Sequence, residues 1–148
     1  MGDPDEKRFA FQARAAAVQR EASALVMAVS ELFTVIFATR RWPEESTEPS
    51  RSWNERGAEL VEEWKGLEPP PRLEPLWKEL EAQFGELAEL IAAAADLRRF
   101  SKSDLVEQMV LLQAAFNRLL QSMNETEARL LNEERALQRL SRRDAGGG

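Results

Sequence analysis

Residues 66–77 read GLEPPPRLEPLW, with prolines at 69, 70, 71 and 75 set between two segments of helical pattern. The prolines never fall three apart, so the P-x-x-P spacing read by proline-groove partners is absent. A PPPR run could suit a WW-like partner, but nothing else in the chain points that way. A linker between domains is a poor fit too, because neither flanking segment could bury its apolar stripe alone. The stretch reads as a hinge inside one fold, where proline stops one helix and pre-sets the next.

Outward from that hinge, the apolar residues recur in four-three steps. Upstream, Trp53, Gly57, Leu60, Trp64 and Leu67 form a seam with Ser52 as the expected cap. Downstream, the seam is Trp77, Leu80, Phe84, Leu87, Ile91 and Ala94. A longer seam precedes them: Phe11, Ala15, Val18, Ala22, Leu25, Val29, Leu32 and Ile36, opened by Asp3-Pro4 and closed by Pro43. A last one follows Ser101 or Ser103 and runs through Leu105, Met109, Leu112, Phe116, Leu119, Met123, Leu130 and Leu137. The expected helices are about 4–41, 52–66, 73–99 and 104–143, with EESTEPSRS a loop and residues 144–148 a disordered tail.

These segments define an all-α fold and one domain over residues 1–148. Short breaks usually reverse helices, so the expected arrangement is an antiparallel four-helix up-down-up-down bundle with long first and last helices, partly coiled-coil in its packing. The alternative is a long three-helix bundle with a proline-broken middle helix. In the four-helix arrangement half of each long helix would project past the shorter pair. Lys7 would lie near Glu134, and Arg14 near Glu127. Trp64 and Trp77 would clamp the prolines between them.

Composition narrows the chemistry. The 148 residues contain no Cys and no His. Structural zinc sites, thiol chemistry and His-dependent nucleophile pairs therefore cannot form. No glycine-rich phosphate loop appears, and the acidic clusters Glu44, Glu45, Glu48 and Glu59, Glu62, Glu63 lack calcium-loop spacing. No catalytic residue, metal or cofactor is expected, and the chain is not read as an enzyme. The net charge is −6. It resides in residues 43–96, which carry fourteen acidic and five basic side chains. Such an acidic surface repels phosphate backbones, so nucleic acid is not an expected partner.

The first helix stands apart. Its apolar arc is about 200° wide, against the ~100° that a surface helix needs. Glu31 shares a narrow polar strip with Arg20, Ser23, Ser30 and Thr34 and reads as surface. Val26, Phe33 and Phe37 edge the seam; with Trp42 they form a candidate interaction surface for a protein partner or a second copy. Arg40, Arg41, Arg98, Arg99 and Lys102 would gather at one end of the bundle as a candidate basic patch. No signal peptide or lipidation motif is visible, so the expected location is cytoplasmic.

The run Trp53…Leu60…Leu67-Glu-Pro-Pro-Pro…Leu73…Leu76-Trp77…Leu80 resembles a pattern in many small bacterial helical-bundle proteins of unknown function. The resemblance covers about residues 53 to 120. Those proteins often carry a His on the helix after the prolines; here Trp77 lies near that place. Many of them look like exported lipoproteins, a trait that this chain's lack of a lipid-bearing Cys does not match. The resemblance implies a helical bundle and no particular activity. The sequence thus points to a non-catalytic protein that binds or scaffolds through helix faces. The alternatives are a bundle that holds a small apolar ligand and a protein that associates with membrane surfaces.

Overall fold

The chain's fold is taken from a computed structural model that describes residues 4–146, with side chains over 10–140 and at Arg142 and Arg143. It has four α-helices: α1 (Pro4–Thr39), α2 (Thr47–Lys65), α3 (Glu74–Ala95) and α4 (Lys102–Gly146). Single 3-10 turns at Glu44–Ser46, Pro71–Leu73 and Asp96–Arg99 join them. No strand occurs among the described residues.

Pairs of contacts give the directions. Trp64 stacks on Trp77, and the face of Gly57 lies against Ala88, so α2 and α3 form an antiparallel hairpin rather than one broken rod. Phe33 meets Phe116, while Phe11 and Gln12 lie beside Glu134 and Leu137. Helices α1 and α4 are therefore antiparallel as well. Glu21 meets Arg56 while Trp42 meets Thr47 at the turn, and Gln83 meets Thr126 while Arg72 meets Glu133, so the two remaining neighbouring pairs run antiparallel too.

The hinge works by direct contact between its flanks. Pro69 and Pro70 hold an extended segment, Leu73 N–H donates to the Pro70 carbonyl at 2.9 Å, and Pro75 falls in the first turn of α3. A proline there removes no helical hydrogen bond. The indole rings of Trp64 and Trp77 do not sandwich the prolines as expected. They stack face to face at 3.7 Å, and Trp64 Nε1–H donates to the Trp77 carbonyl at 3.2 Å. Two flat rings that meet directly exclude more water than rings held apart by a proline layer.

Several expected boundaries move. Helix α2 begins at Thr47, not Ser52, because Pro49 lies in its first turn, where the missing N–H is not needed. Ser52 is an interior residue whose hydroxyl donates to the Pro49 carbonyl. Helix α1 ends at Thr39 because Arg40 turns left-handed, with φ 57°. Helix α3 stops at Ala95 and tightens into the 3-10 turn that carries Arg98 and Arg99. Helix α4 runs to Gly146, beyond the expected Arg143, since nothing in Arg142–Ala145 breaks a helix. The rest of the expected tail, residues 147–148, lies outside the described residues, as does the Asp3 cap.

The core is the four seams meeting: Val29, Leu32, Ile36, Trp64, Leu80, Phe84, Leu87, Ile91, Leu105 and Met109 are all buried. The expected half-length overhang does not occur. Phe11 packs on Trp77 at 4.6 Å and is itself buried, so α1 is covered almost to its first turns. The longer α2 and the extended prolines lengthen the hairpin enough to reach it. Arg72, on the proline turn, fastens that end to Glu133 of α4 at 3.2 Å.

Candidate interaction surface

The four expected interaction residues divide. Phe33 is a correction: at 3% exposure it belongs to the core, edge-on to Phe116 with ring centres 5.6 Å apart. Its position at the seam's edge faces α4, so the neighbouring helix covers it. Val26 and Trp42 are half-buried against the core. Trp42 is not a loose contact residue, because its Nε1–H donates to Thr47 Oγ1 at 3.0 Å and ties the α1–α2 turn together. Phe37 alone projects, at 67% exposure.

On the same helix Met27, at 65%, and Val35, at 39%, are exposed too, while α4 exposes Val110, Leu111, Leu131 and Leu140. On α1 itself Ala13, Ala16, Ala17, Ala24 and Ala38 are exposed as well. The outward half of α1 is thus apolar along most of its length, broken by Arg20, Glu31 and short hydroxyl side chains. Over Ala10–Thr39 this helix is long and apolar enough to cross a membrane, yet only 33% of its most apolar window is buried in the bundle.

The five residues of the expected basic patch are all exposed. The antiparallel course of α1 and α4 brings the ends of α1 and α3 and the start of α4 to one end of the bundle. Arg99 lies 4.9 Å over the Phe100 ring. Among the described residues none of the five forms an ion pair. A second arginine group, not expected from the sequence, sits at the opposite end. Arg72, Arg139, Arg142 and Arg143 line an open groove with Ala136 and Leu140. Its signal was the run RLSRR, in which Arg139 stands three and four positions before Arg142 and Arg143 and so shares their side of the helix.

Between α1 and α4 runs another groove of about 470 Å³, lined by Gln12, Ala15, Gln19, Glu127, Leu131 and Glu134 among others. Desolvation against this wall pushes the carboxyls of Glu127 and Glu134 above the usual carboxylate range. The expected Arg14–Glu127 pair does not form among the described side chains. Glu127 faces the groove, whereas Arg14 is exposed and not among the groove's lining residues. Lys7 and its expected approach to Glu134 lie outside the described side chains.

One polar cluster is buried. Thr126 is 1% exposed, accepts from Gln83 Nε2 at 3.0 Å, and has the Ser122 carbonyl at 3.0 Å and Glu79 Oε1 at 3.3 Å as acceptors for its single proton. Arg129 closes the cluster on Glu79 at 3.3 Å. This group reads as a register pin between α3 and α4. Among the described residues no cluster of acidic groups is placed to hold a metal ion. The depression between Phe11, Pro70, Leu73 and Leu137 offers about 10 Å³, no more than one water; the roomier spaces are open grooves, about 620 Å³ beside Arg72 and Arg139 and about 470 Å³ between α1 and α4.

Comparison with known proteins finds no matching family, no matching curated protein and no matching solved structure.

Proposed function

We propose that this chain is a non-catalytic binding protein whose docking surface is the outward face of α1. The observation that carries the reading is the exposure of Met27, Val35 and Phe37 on a helix whose inward face is already satisfied by the core. A helix that needs only to close a bundle gains nothing from a second apolar face, and large exposed apolar patches mark contact sites. The absence of His and Cys from the sequence removes the commonest catalytic groups.

The test is a single substitution. In extract of the cells that make it, the chain is expected to elute in an assembly larger than its 16.8 kDa. Met27→Lys is expected to release it as a monomer with an unchanged melting temperature, because Met27 makes no core contact. A monomeric wild type, or a variant that stays in the assembly, would reject the reading.

A second reading, attachment to a membrane surface through the same helix, is favoured by the length and apolarity of Ala10–Thr39. Flotation with anionic vesicles separates the two. Binding to vesicles that Met27→Lys abolishes supports the membrane, and its absence leaves a protein partner.

A further inference from the structure

The inward seam of α1 has a counterpart. Each of its residues is followed two positions later by one about 200° around the helix, on the opposite side. That outer line is Ala13, Ala17, Arg20, Ala24, Met27, Glu31, Thr34 and Ala38, and every member is exposed. The same shift applied to the seams of α2 and α3 gives ordinary solvated lines, with Glu55, Glu59 and Glu62 on one and Glu79, Glu86, Glu89 and Asp96 on the other. On α4 it gives Glu107, Leu111, Ala114, Arg118, Gln121 and Glu125, a line with three charges in its first half. Only on α1 does the outer line repeat the four-three spacing with small and apolar residues and a single charge of each sign.

The placement of those charges names the occupant. We propose that the outer line of α1 pairs with the same line of a second copy, antiparallel, about a two-fold axis between Leu25 and Val26. This rests on the reading of α1 as the docking surface and supplies its partner. Along this central line paired positions add to 51. Arg20 of one copy meets Glu31 of the other, twice over. Ala24 meets Met27, Ala17 meets Thr34, and Ala13 meets Ala38. In heptad terms each layer joins an a position to a d position, as antiparallel helix pairs require.

One flank agrees: there the pairs add to 53, Phe37 falling over Ala16 of the other copy, large against small, and Ser23 opposite Ser30. On the other flank the pairs add to 49, with Val35 beside the stem of Arg14 and Ala28 beside Glu21. The line's alanines let the two helices approach closely. Parallel pairing would instead set Arg20 against Arg20 and Glu31 against Glu31. Charge complementarity therefore selects the antiparallel form, and a two-fold interface satisfies both copies with one patch. The charges are free to do so, since among the described residues neither Arg20 nor Glu31 forms an ion pair within the chain.

The contact spans positions 13 to 38, about 39 Å of helix at ~1.5 Å per residue. A stripe of that length and ~10 Å width lies below the roughly 800 Å² per partner of standard stable interfaces. The association is therefore expected in the micromolar range rather than below it.

Sedimentation equilibrium over roughly a hundredfold range about micromolar concentration tests this directly. The wild type is expected to pass from 16.8 kDa to twice that mass. Arg20→Glu and Glu31→Arg should each weaken pairing by about tenfold or more, and the double exchange should restore it to within about threefold. Both sites are exposed, so melting temperatures taken below the concentration at which the wild type pairs should stay level and exclude misfolding as the cause. Single variants that pair like the wild type would overturn the register. A wild type that stays at 16.8 kDa throughout would overturn self-pairing. If Met27→Lys nevertheless strips that chain from a larger assembly in extract, the docking surface stands and its partner is another protein; if it does not, both readings fall.

Discussion

Removing the Trp64–Trp77 stack should weaken the fold in a way that only a hairpin can explain. Trp64 is fully buried, its ring lies 3.7 Å from that of Trp77 and 4.9 Å from Phe84, and its Nε1–H is spent on the Trp77 carbonyl. Trp64→Ala would leave a large cavity costing about 3–5 kcal/mol. That is a large share of the ~5–15 kcal/mol that holds a domain together, so milder changes are better probes. Trp64→Phe should cost about 2–3 kcal/mol: about 1 for the lost hydrogen bond and the remainder for the incompletely filled space.

The sharper quantity is the coupling. Trp64→Leu, Trp77→Leu and the double variant form a cycle that isolates the stack, expected at about 0.5–1.5 kcal/mol. Urea unfolding followed by far-ultraviolet circular dichroism is the assay, because removing a tryptophan confounds fluorescence. In a broken rod, positions 64 and 77 would be far apart and the coupling would vanish. A value within about 0.3 kcal/mol of zero would therefore refute the packing at the hinge.

Other outcomes follow from single sites. Gly85 lies inside α3 with nothing within 4 Å of where a Cβ would sit, so Gly85→Ala should raise stability by about 1 kcal/mol in the same urea assay. Thr126→Val keeps the shape but leaves the buried Gln83 amide without its acceptor; the expected cost is about 1–3 kcal/mol, and a neutral result would mean that the cluster is solvated. Glu127 and Glu134 have raised pKa values in the folded state. The stability linked to them is present below the unfolded carboxylate pKa and is lost as pH rises through the folded values. Thermal melts should thus show that Glu127→Gln with Glu134→Gln stabilises at pH 7 and flattens the decline between the two pKa values; an unchanged profile would place both carboxylates in open solvent.

Much of the architecture could be read from residue spacing. The four-three seams located all four helices and nearly every core side chain, because burial in a bundle is written as period. Ends were harder. Pro49 reads as a breaker until the first turn's spare N–H groups are counted, and Arg40 gives no sign in sequence that it will turn left-handed. Thr126 could have been found, since it occupies the step between Met123 and Leu130 where the seam of α4 wants a residue, but a threonine in a core position is easily passed over.

The candidate surface was half legible. The excess width of the apolar arc on α1 was visible, yet assigning its edge residues required knowing which flank α4 covers. That flank took Phe33 into the core and left Phe37 and Met27 outside. Side chains at one edge of a seam differ by only a few tens of degrees, less than the uncertainty in where a neighbouring helix lies. The raised carboxyls of Glu127 and Glu134 were invisible for the same reason, since desolvation depends on the opposite wall of the groove.

Whether the outward face of α1 binds a partner can be read from a photo-crosslinking residue in place of Met27. Glu89, exposed on the outer line of α3, serves as the control position. Adducts are expected from position 27 and none from position 89, with a product of twice 16.8 kDa if the partner is a second copy. No adduct from position 27, or equal yields from both positions, would contradict binding through that face.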